Sequence, residues 1–189
     1  MTSKPAYISL GDPSGIGPEV FIKSLHSPEI YENLSSFIVV SSEDVVKKTL
    51  KNLNQSYKIN LLSNKADISN EAINILNVDG CHDYDLGSPK ESNAKYILDC
   101  LKKASDLSKR DKSCLITGPV NKKVLNSYEK KFSGHTEFLK SRFDSDEVLM
   151  FLSNGSLHLG IITTHIPLSQ VSSSITKELI LKKYKLFLI

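Results

Sequence analysis

The 189 residues suffice for one domain, or for one domain and part of a second, and an apolar fraction of 40% is adequate for a packed core. A net charge of +3, with no tryptophan and no aromatic residues interleaved among the lysines, argues against a nucleic-acid partner. Three cysteines without CxxC spacing argue against a disulfide framework or a zinc knuckle and favour a cytoplasmic location. We expect neither a signal peptide nor a membrane span.

The first predicted strand, residues 7–10, runs into a loop with three glycines and two prolines, residues 11–19. Pro18 suits the first turn of a helix, because its missing N–H would be unpaired there anyway. Three apolar positions predict a buried face on that helix: Val20, Phe21 and Leu25. The combination of strand, glycine loop and helix can bind an anion, and a plain connection from strand to helix explains it equally well. The loop is neither a Walker loop nor a GxGxxG fingerprint.

The next part of the chain is predicted to alternate between strands and helices. Apolar or β-prone runs predict three strands, at residues 37–40, 58–62 and 73–77. Ser41 and Asp44 are predicted to cap the intervening helix. Residues 79–85 contain cysteine, histidine and aspartate, but their spacing matches no metal-ligand pattern. We interpret this segment as an acidic surface loop.

A long amphipathic helix is predicted to start at residues 88–91, where serine, proline and glutamate form a cap and first turn. Apolar residues recur behind it at helical spacing: Ala94, Ile97, Leu98, Leu101 and Ala104. The next strand, residues 113–117, is predicted to be buried, and residues 118–123 open another helix. Loops beyond the carboxyl ends of parallel strands bind ligands in open α/β sheets, so Lys122 either meets an anion or is an ordinary exposed lysine.

A polar cluster within residues 132–139 is the main candidate for a binding site. Imidazole, hydroxyl and carboxylate side chains occur on three consecutive residues from His135, between apolar residues. Gly134 allows a tight turn or a close approach to a ligand. A few polar groups in an apolar frame are typical of a small-molecule site. The alternative is a simple helix start, with Ser133 or Thr136 as the cap.

Beyond this cluster, an Asn-Gly turn at residues 154–155 between two β-prone runs predicts a hairpin over residues 148–162. His158 lies between two leucines, and we interpret it as a surface residue of the hairpin. His165 lies where the second strand stops, because Pro167 prevents its continuation. A single histidine at such a position is either structural or a ligand.

The last segment has a helical pattern from Ile175 and ends in an apolar run, residues 184–189. Because free termini are normally polar and frayed, this end predicts that the chain is the N-terminal portion of a larger fold. We therefore expect a first α/β domain over residues 1–127 and the start of a second, incomplete domain over residues 128–189. A stable, monodisperse and cooperatively melting chain would count against this expectation.

Four motifs in a fixed order resemble the 4-hydroxythreonine-4-phosphate dehydrogenase family of vitamin B6 biosynthesis; they are residues 11–19, 117–122, 132–139 and 163–168. They correspond to the first half or so of a typical family member. The resemblance implies an isopropylmalate-dehydrogenase-like, three-layer α/β/α fold of two domains with a cleft, of which the C-terminal part is missing here. It also implies a homodimer whose site takes residues from both subunits.

The resemblance also implies an activity. Family members oxidise 4-phosphooxy-L-threonine with NAD or NADP to 2-amino-3-oxo-4-phosphooxybutanoate, which decarboxylates to 3-amino-2-oxopropyl phosphate. A divalent metal (zinc, magnesium or cobalt) is held by three histidines. Matched by motif, His135 and Thr136 correspond to substrate-binding residues and His165 to a metal ligand. The surroundings of the other histidines in this chain do not match, and no catalytic or cofactor-binding residue is assigned.

These expectations agree with the chemistry of the residues. A metal on a substrate hydroxyl lowers the pKa of that hydroxyl, and the nicotinamide accepts the hydride. We expect His135, Thr136 and His165 to converge on one cleft. A single imidazole does not hold a catalytic divalent ion, which needs about three protein ligands, so this chain alone is expected to be inactive. Two alternatives stay open: a related dehydrogenase of a phosphorylated sugar acid such as threonate 4-phosphate, and a truncated, non-catalytic remnant.

Overall fold

A computed structural model describes residues 4–64, 67–129 and 132–188 of the chain. Its internal contacts divide the chain into two compact units, Met1–His135 and Thr136–Ile189. The predicted domain boundary between residues 127 and 128 stays a prediction.

A parallel sheet forms the centre of the first unit. Its strands are β1 (Ala6–Ser9), β2 (Phe37–Ser41), β3 (Ile59–Leu61), β4 (Ile73–Asn77) and β5 (Leu115–Thr117). They lie in the order β3-β4-β2-β1-β5, and all neighbouring pairs are parallel. Each strand overlaps a run that the apolar pattern predicts, so these predictions are confirmed to within a residue or two at each end.

Helices flank this sheet, with the bounds α1 (Gly17–Ser24), α2 (Pro28–Tyr31), α3 (Glu43–Asn52), α4 (Ala94–Asp111) and α5 (Lys122–Tyr128). The predicted apolar stripe of α4 is confirmed, because all five of its members are almost completely buried. Side chains of α1 and α3 form a core cluster with residues of β1, β2 and β4, including Ile8, Val39 and Ile75. Burial of these apolar side chains is the main force that holds the sheet and its helices together. The α/β class predicted from the sequence is confirmed.

Two predictions about buried positions were wrong. Val20 leaves 56% of its surface exposed, and Ile22 takes the buried place beside Phe21 and Leu25. Strand β5 lies at the edge of the sheet rather than inside it, and Ile116 is 45% exposed. A run of apolar residues predicts a strand, but its place in the sheet depends on contacts that are distant in the chain.

The predicted caps of α3 and α4 also need correction. The Ser42 hydroxyl, not that of Ser41, accepts the hydrogen bond from the Asp44 backbone N–H at 3.2 Å. The Ser41 hydroxyl instead lies 2.9 Å from the Tyr96 hydroxyl, to which it is hydrogen-bonded. The main helix α4 starts only at Ala94, after a short 3₁₀ turn, so residues 88–91 do not form its first turn.

The acidic segment at residues 79–85 contains no helix or regular strand, which agrees with the loop prediction. Tyr84 is the exception to its surface character, because it is 5% exposed and packs beneath the Lys48 ammonium, 3.9 Å from the ring centre. The three cysteines, Cys81, Cys100 and Cys114, are free thiols, as their spacing predicts.

The second unit consists of short elements: most of α6 (His135–Arg142), then β6 (Met150–Ser153), β7 (His158–Ile161), α7 (Leu168–Ser174) and α8 (Lys177–Phe187). The antiparallel pairing of β6 with β7 around the Asn-Gly turn confirms the predicted hairpin. His158 is exposed as predicted, stacked on the Phe151 ring. Helix α7 was not predicted, and the final residue, Ile189, lies outside the described residues. None of the helices in the described part of the chain has the length and apolar character needed to cross a bilayer.

Candidate functional site

The strand order creates a switch point between β1 and β5. Strands β2, β3 and β4 lie on one side of β1, whereas β5 lies on the other. The loops that leave β1 and β5 therefore start from neighbouring carboxyl ends of the sheet. In open α/β sheets, ligands bind in the crevice at such a point.

The loops after β1 and β5 pack backbone against backbone. The Gly118 N–H donates to the Ser9 carbonyl at 2.6 Å, and the Asp12 N–H donates to the Pro119 carbonyl at 3.1 Å. A Cβ atom on Gly11, whose φ is +81°, would lie 2.2 Å from the Pro119 oxygen. A Cβ atom on Gly118 would lie 2.2 Å from a backbone oxygen of the β1 loop. Glycine is required at both positions because only a residue without Cβ permits this approach.

Three donors of the first glycine loop, on Ser14 and Gly15, are already used within the protein. The Ser14 N–H and hydroxyl both donate to the Asp12 carboxylate, at 2.9 and 2.6 Å, and the Gly15 N–H donates to the Asp12 carbonyl at 3.0 Å. This arrangement favours a plain connection over an anion-binding corner at residues 11–19. Sequence reasoning missed the structural role of Asp12, which is 4% exposed. The Asp-x-Ser spacing, typical of a side-chain turn, was the available signal.

His135 is held by the first unit. Its ring meets Phe132 edge to face, with 5.8 Å between ring centres. Phe132 is buried and is fixed to α5 by two hydrogen bonds: its N–H donates to the Asn126 side-chain oxygen at 2.9 Å, and its carbonyl accepts from the Asn126 amide at 3.1 Å. Sequence reasoning also missed this anchoring role of Asn126. The imidazole position is therefore set by packing and hydrogen bonds rather than by a loose loop.

The Nε2 atom of His135 is buried and has no hydrogen-bond partner in the described structure. Buried polar atoms are normally paired, so an unpaired one requires an explanation such as a ligand. Burial lowers the pKa of His135, and the positive charge of Lys122 lowers it further. The imidazole is therefore neutral at neutral pH, with one N–H donor and one acceptor nitrogen.

Lys122 is the charged residue that lowers the pKa of the His135 imidazole. It opens α5 directly after the β5 loop, and the Asn121 side chain caps that helix by accepting from the Lys123 and Val124 N–H groups. Lys122 is exposed and forms no salt bridge within the described residues. Because the charge of Lys122 acts on an imidazole whose Nε2 has no partner among the described residues, this pair is suited to an anionic ligand.

Thr136 follows His135 in the first turn of α6 and is exposed. A helix does start here, as the alternative interpretation has it, but Thr136 lies inside that helix, so of the two caps considered Thr136 is excluded. Its hydroxyl is adjacent in the chain to the imidazole and close to the positive end of the helix dipole, where anions are favoured.

His165 lies in the second unit, after β7, and is exposed. Its φ of +58° is in the left-handed region, which is uncommon for a residue with a side chain and is frequent at functional sites. Among the described residues, no group of three or more His, Cys, Asp or Glu side chains is placed to hold a metal ion. The structure therefore shows no complete metal site around His165, and its predicted convergence with His135 and Thr136 stays a prediction.

The fold defines a class: an α/β protein with a parallel sheet flanked by helices. The sequence model of the family described as "Pyridoxal phosphate biosynthetic protein PdxA" matches residues 33–188, and the chain belongs to this family.

Curated relatives agree with this assignment. The chain is 30% identical over 179 residues to a 4-hydroxythreonine-4-phosphate dehydrogenase of Pseudoalteromonas translucida, a match that covers 93% of this chain and 53% of the relative. It is 31% identical over 180 residues to the enzyme of that name from Sulfurihydrogenibium sp. This match covers 95% of this chain and 55% of the relative. A relative from Clostridium botulinum, 28% identical and covered to 53%, carries the provisional name D-threonate 4-phosphate dehydrogenase.

Solved structures confirm the fold. A 4-hydroxythreonine-4-phosphate dehydrogenase from Burkholderia phymatum superposes with a TM-score of 0.87 at 23% identity, over 98% of this chain and 57% of the other. The enzyme of that name from Klebsiella pneumoniae gives a TM-score of 0.83 at 25% identity, over 95% of this chain and 55% of the other. The chain thus spans about half the length of the relatives that it matches.

Proposed function

We propose that this chain supplies the substrate-binding part of an oxidoreductase of vitamin B6 biosynthesis. The reaction is oxidation of 4-phosphooxy-L-threonine by NAD or NADP to 2-amino-3-oxo-4-phosphooxybutanoate, which decarboxylates to 3-amino-2-oxopropyl phosphate. The names of the curated relatives support the reaction. The structural observation that carries the proposal is the buried Nε2 of His135, which has no hydrogen-bond partner in the described part of the chain and lies under the electrostatic influence of Lys122.

The proposed role of these residues is to bind and orient the substrate. A neutral His135 imidazole forms one hydrogen bond through Nε2 to an oxygen of the phosphorylated substrate. The Thr136 hydroxyl offers a second hydrogen bond, and the Lys122 ammonium offsets the negative charge. The nicotinamide, when bound, accepts the hydride, and the protein contributes orientation and electrostatics.

A divalent zinc, magnesium or cobalt ion belongs to the proposal only through the family resemblance, with His165 as one of its ligands. The described residues do not by themselves fit such an ion, because a catalytic site needs about three protein ligands and His165 is a single imidazole. We derive no step through the metal. The same proposal includes a homodimer with site residues from both subunits and a cytoplasmic location.

Ligand binding to His135 provides the first test. Titration of the chain with 4-phosphooxy-L-threonine should shift the His135 imidazole signals in an NMR spectrum and raise the pKa of His135, because a nearby anion stabilises the imidazolium. Lys122→Gln should weaken binding about tenfold, the effect of losing one charge-assisted hydrogen bond. Lys123→Gln removes the adjacent exposed lysine and should leave the affinity unchanged. Unaltered His135 signals at saturating substrate would contradict the assignment.

Turnover provides the second test. A chimera would continue from residue 189 with the second half of the Pseudoalteromonas translucida relative. In this chimera, His165→Ala should abolish metal-dependent reduction of NAD or NADP while the circular dichroism spectrum stays unchanged. His158→Ala, which removes an exposed imidazole of the same unit, should retain turnover. Full activity of the His165→Ala chimera would remove His165 from the site.

The second candidate substrate is threonate 4-phosphate, which is favoured by the name of the Clostridium botulinum relative. It shares the phosphate with 4-phosphooxy-L-threonine and carries a hydroxyl in place of the amino group. His135 and Lys122 do not distinguish the two, because an anion is common to both. Direct competition between the two compounds for the His135 signal, followed by turnover of each by the chimera, would decide between them.

A further inference from the structure

Helix α5 carries the Lys122 side chain at its first position and the Asn126 side chain four residues later. Residues four apart lie on the same face of an α-helix, as neighbours on successive turns. The Asn126 side chain accepts from the Phe132 N–H at 2.9 Å and donates to the Phe132 carbonyl at 3.1 Å. The face of α5 that presents the Lys122 cation therefore also anchors the segment that leads to His135.

The helix that carries these two side chains is firmly held in the first unit. Val124 and Leu125, on its inner face, are only 4% and 0% exposed. At the end of the helix, the Glu129 carboxylate accepts from the Lys102 ammonium of α4 at 2.7 Å. A backbone segment that is hydrogen-bonded to α5 is therefore tied to the core of the first unit.

The anchor reaches the imidazole through the Phe132 side chain. Phe132 is 5% exposed, and its ring meets the His135 ring edge to face, with 5.8 Å between the ring centres. Burial of His135 is the larger cause of its lowered pKa, and the positive charge of Lys122 is the second cause. Both effects depend on where the imidazole lies, so the pKa of His135 reports its position.

We propose that Asn126 is a positioning residue of the substrate site, which fixes the His135 imidazole relative to Lys122 by holding the Phe132 backbone on α5. This role needs no contact between Asn126 and the substrate. With the anchor in place, the imidazole and the ammonium meet an anion already ordered, which reduces the cost of binding. The inference rests on the proposed function for the identity of that anion, but the position of the imidazole is measurable without a ligand.

A purely structural role for Asn126 is the alternative. The side chain would then only close the turn after α5, and its loss would lower the free energy of unfolding without changing the pKa of His135 in the folded chain. The Phe132 N–H also donates to the Glu129 carbonyl at 3.3 Å, so this N–H keeps an acceptor when the Asn126 amide is removed. We therefore expect Asn126→Ala to fold, which allows the two roles to be distinguished.

The first measurement is the pKa of His135 in the ligand-free chain, followed by the imidazole signals in an NMR spectrum. Asn126→Ala should raise this pKa toward the ordinary value of 6.5, because a released imidazole is less buried and is held less closely in the field of Lys122. In a Lys122→Gln background the same substitution should raise the pKa by less, because one of the two causes is already absent. Ser127→Ala, which removes a hydroxyl that donates to the Val124 carbonyl within the same helix, should leave the pKa unchanged.

The second measurement is the affinity for 4-phosphooxy-L-threonine, from titration of the same signals. Asn126→Ala should weaken binding about fivefold. The apparent affinity falls with the fraction of molecules that hold the imidazole in place, and one neutral hydrogen bond changes that fraction by about this factor. Ser127→Ala should bind like the wild-type chain. Phe132→Leu keeps a buried apolar side chain but removes the ring, so it should show the same two changes and provides the test if Asn126→Ala does not fold.

Two outcomes would overturn the proposal. One is a folded Asn126→Ala chain, or a folded Phe132→Leu chain in its place, with the wild-type His135 pKa and the wild-type affinity. The other is an equal effect of Ser127→Ala, which would indicate a general disturbance of α5. If the wild-type His135 signals do not respond to 4-phosphooxy-L-threonine, the proposed function fails instead, and the ligand-free pKa of the Asn126→Ala chain still decides whether Asn126 positions the imidazole.

Discussion

The two units of this chain differ in how far they bury their apolar side chains. Every buried residue of the described chain belongs to the first unit, where the sheet separates layers of packed helices. In the second unit, Phe151 and Leu159 of the hairpin and Leu181 of α8 are about half exposed. A two-stranded hairpin with short helices provides too little surface to enclose a core. The candidate site residues divide between the two units. His135 belongs to the well-packed first unit, and Thr136 and His165 belong to the less packed second unit.

The largest effect should come from a matched pair of leucine truncations. Leu98→Ala, in the completely buried stripe of α4, should lower the free energy of unfolding of the first unit by about 3 kcal/mol, because it leaves a cavity. Leu159→Ala, at a hairpin position that is 51% exposed, should cost less than about 1 kcal/mol. Urea denaturation followed by circular dichroism measures both. Equal losses would show that the two units are packed alike.

A pair of glycine substitutions should give the next largest effect. Gly118→Ala places Cβ 2.2 Å from a backbone oxygen that cannot move away easily, and should cost about 2 to 3 kcal/mol. Gly160→Ala, in β7, meets only the Phe187 ring at 3.1 Å and leucine methyl groups, which can shift, and should cost less than about 1 kcal/mol. Thermal unfolding of the two variants provides the measurement. A tolerated Gly118→Ala would mean that the β1 and β5 loops pack less tightly than described.

The smallest effect concerns acid stability of the second unit. Glu147 accepts from Lys182 at 2.6 Å and from Lys183 at 2.9 Å, and these hydrogen bonds lower its pKa to about 2. Because the folded form binds its proton less readily than the unfolded form, the stabilisation exists above the ordinary pKa of 4.5 and is lost as the pH falls toward 2.

Glu147→Gln should therefore flatten the pH dependence of unfolding of the second unit between about pH 4.5 and pH 2. The Phe151 ring signals in an NMR spectrum report on this unit. Glu178→Gln removes a carboxylate from the start of α8 and controls for net charge. An unchanged pH profile in Glu147→Gln would show that this contact contributes nothing in solution.

Much of the fold was predictable because its signals are local. The strands, the stripe of α4 and the Asn-Gly hairpin each depend on residues close together in the sequence. The errors have one cause in common. Val20 and Ile116 carry the apolar character of core residues, but whether they are buried depends on which neighbours cover them. Likewise, Ser41 and Ser42 are equally good caps by residue type, but in the structure the Ser42 hydroxyl accepts from the Asp44 N–H while the Ser41 hydroxyl bonds the Tyr96 hydroxyl.

The candidate site was predictable only as a set of residues. The motif around His135 identified a histidine and a threonine, but only the structure shows that Nε2 is buried and has no hydrogen-bond partner among the described residues. The placement of the β1 and β5 loops at a switch point required the strand order. The left-handed backbone of His165 had no sequence signal, because such a conformation is normally expected of glycine.

By itself, the sequence determined the kinds of element in this protein, their order and the family to which it belongs, since periodicity, turn residues and motifs are read over a few neighbouring positions. Only the tertiary structure decided that β5 lies at the edge of the sheet, that Val20 and Ile116 stay exposed, and that the buried Nε2 of His135 has no hydrogen-bond partner among the described residues. Each of these properties is a relation between segments far apart in the chain. Burial and hydrogen bonding depend on what surrounds a residue and not on the residue alone.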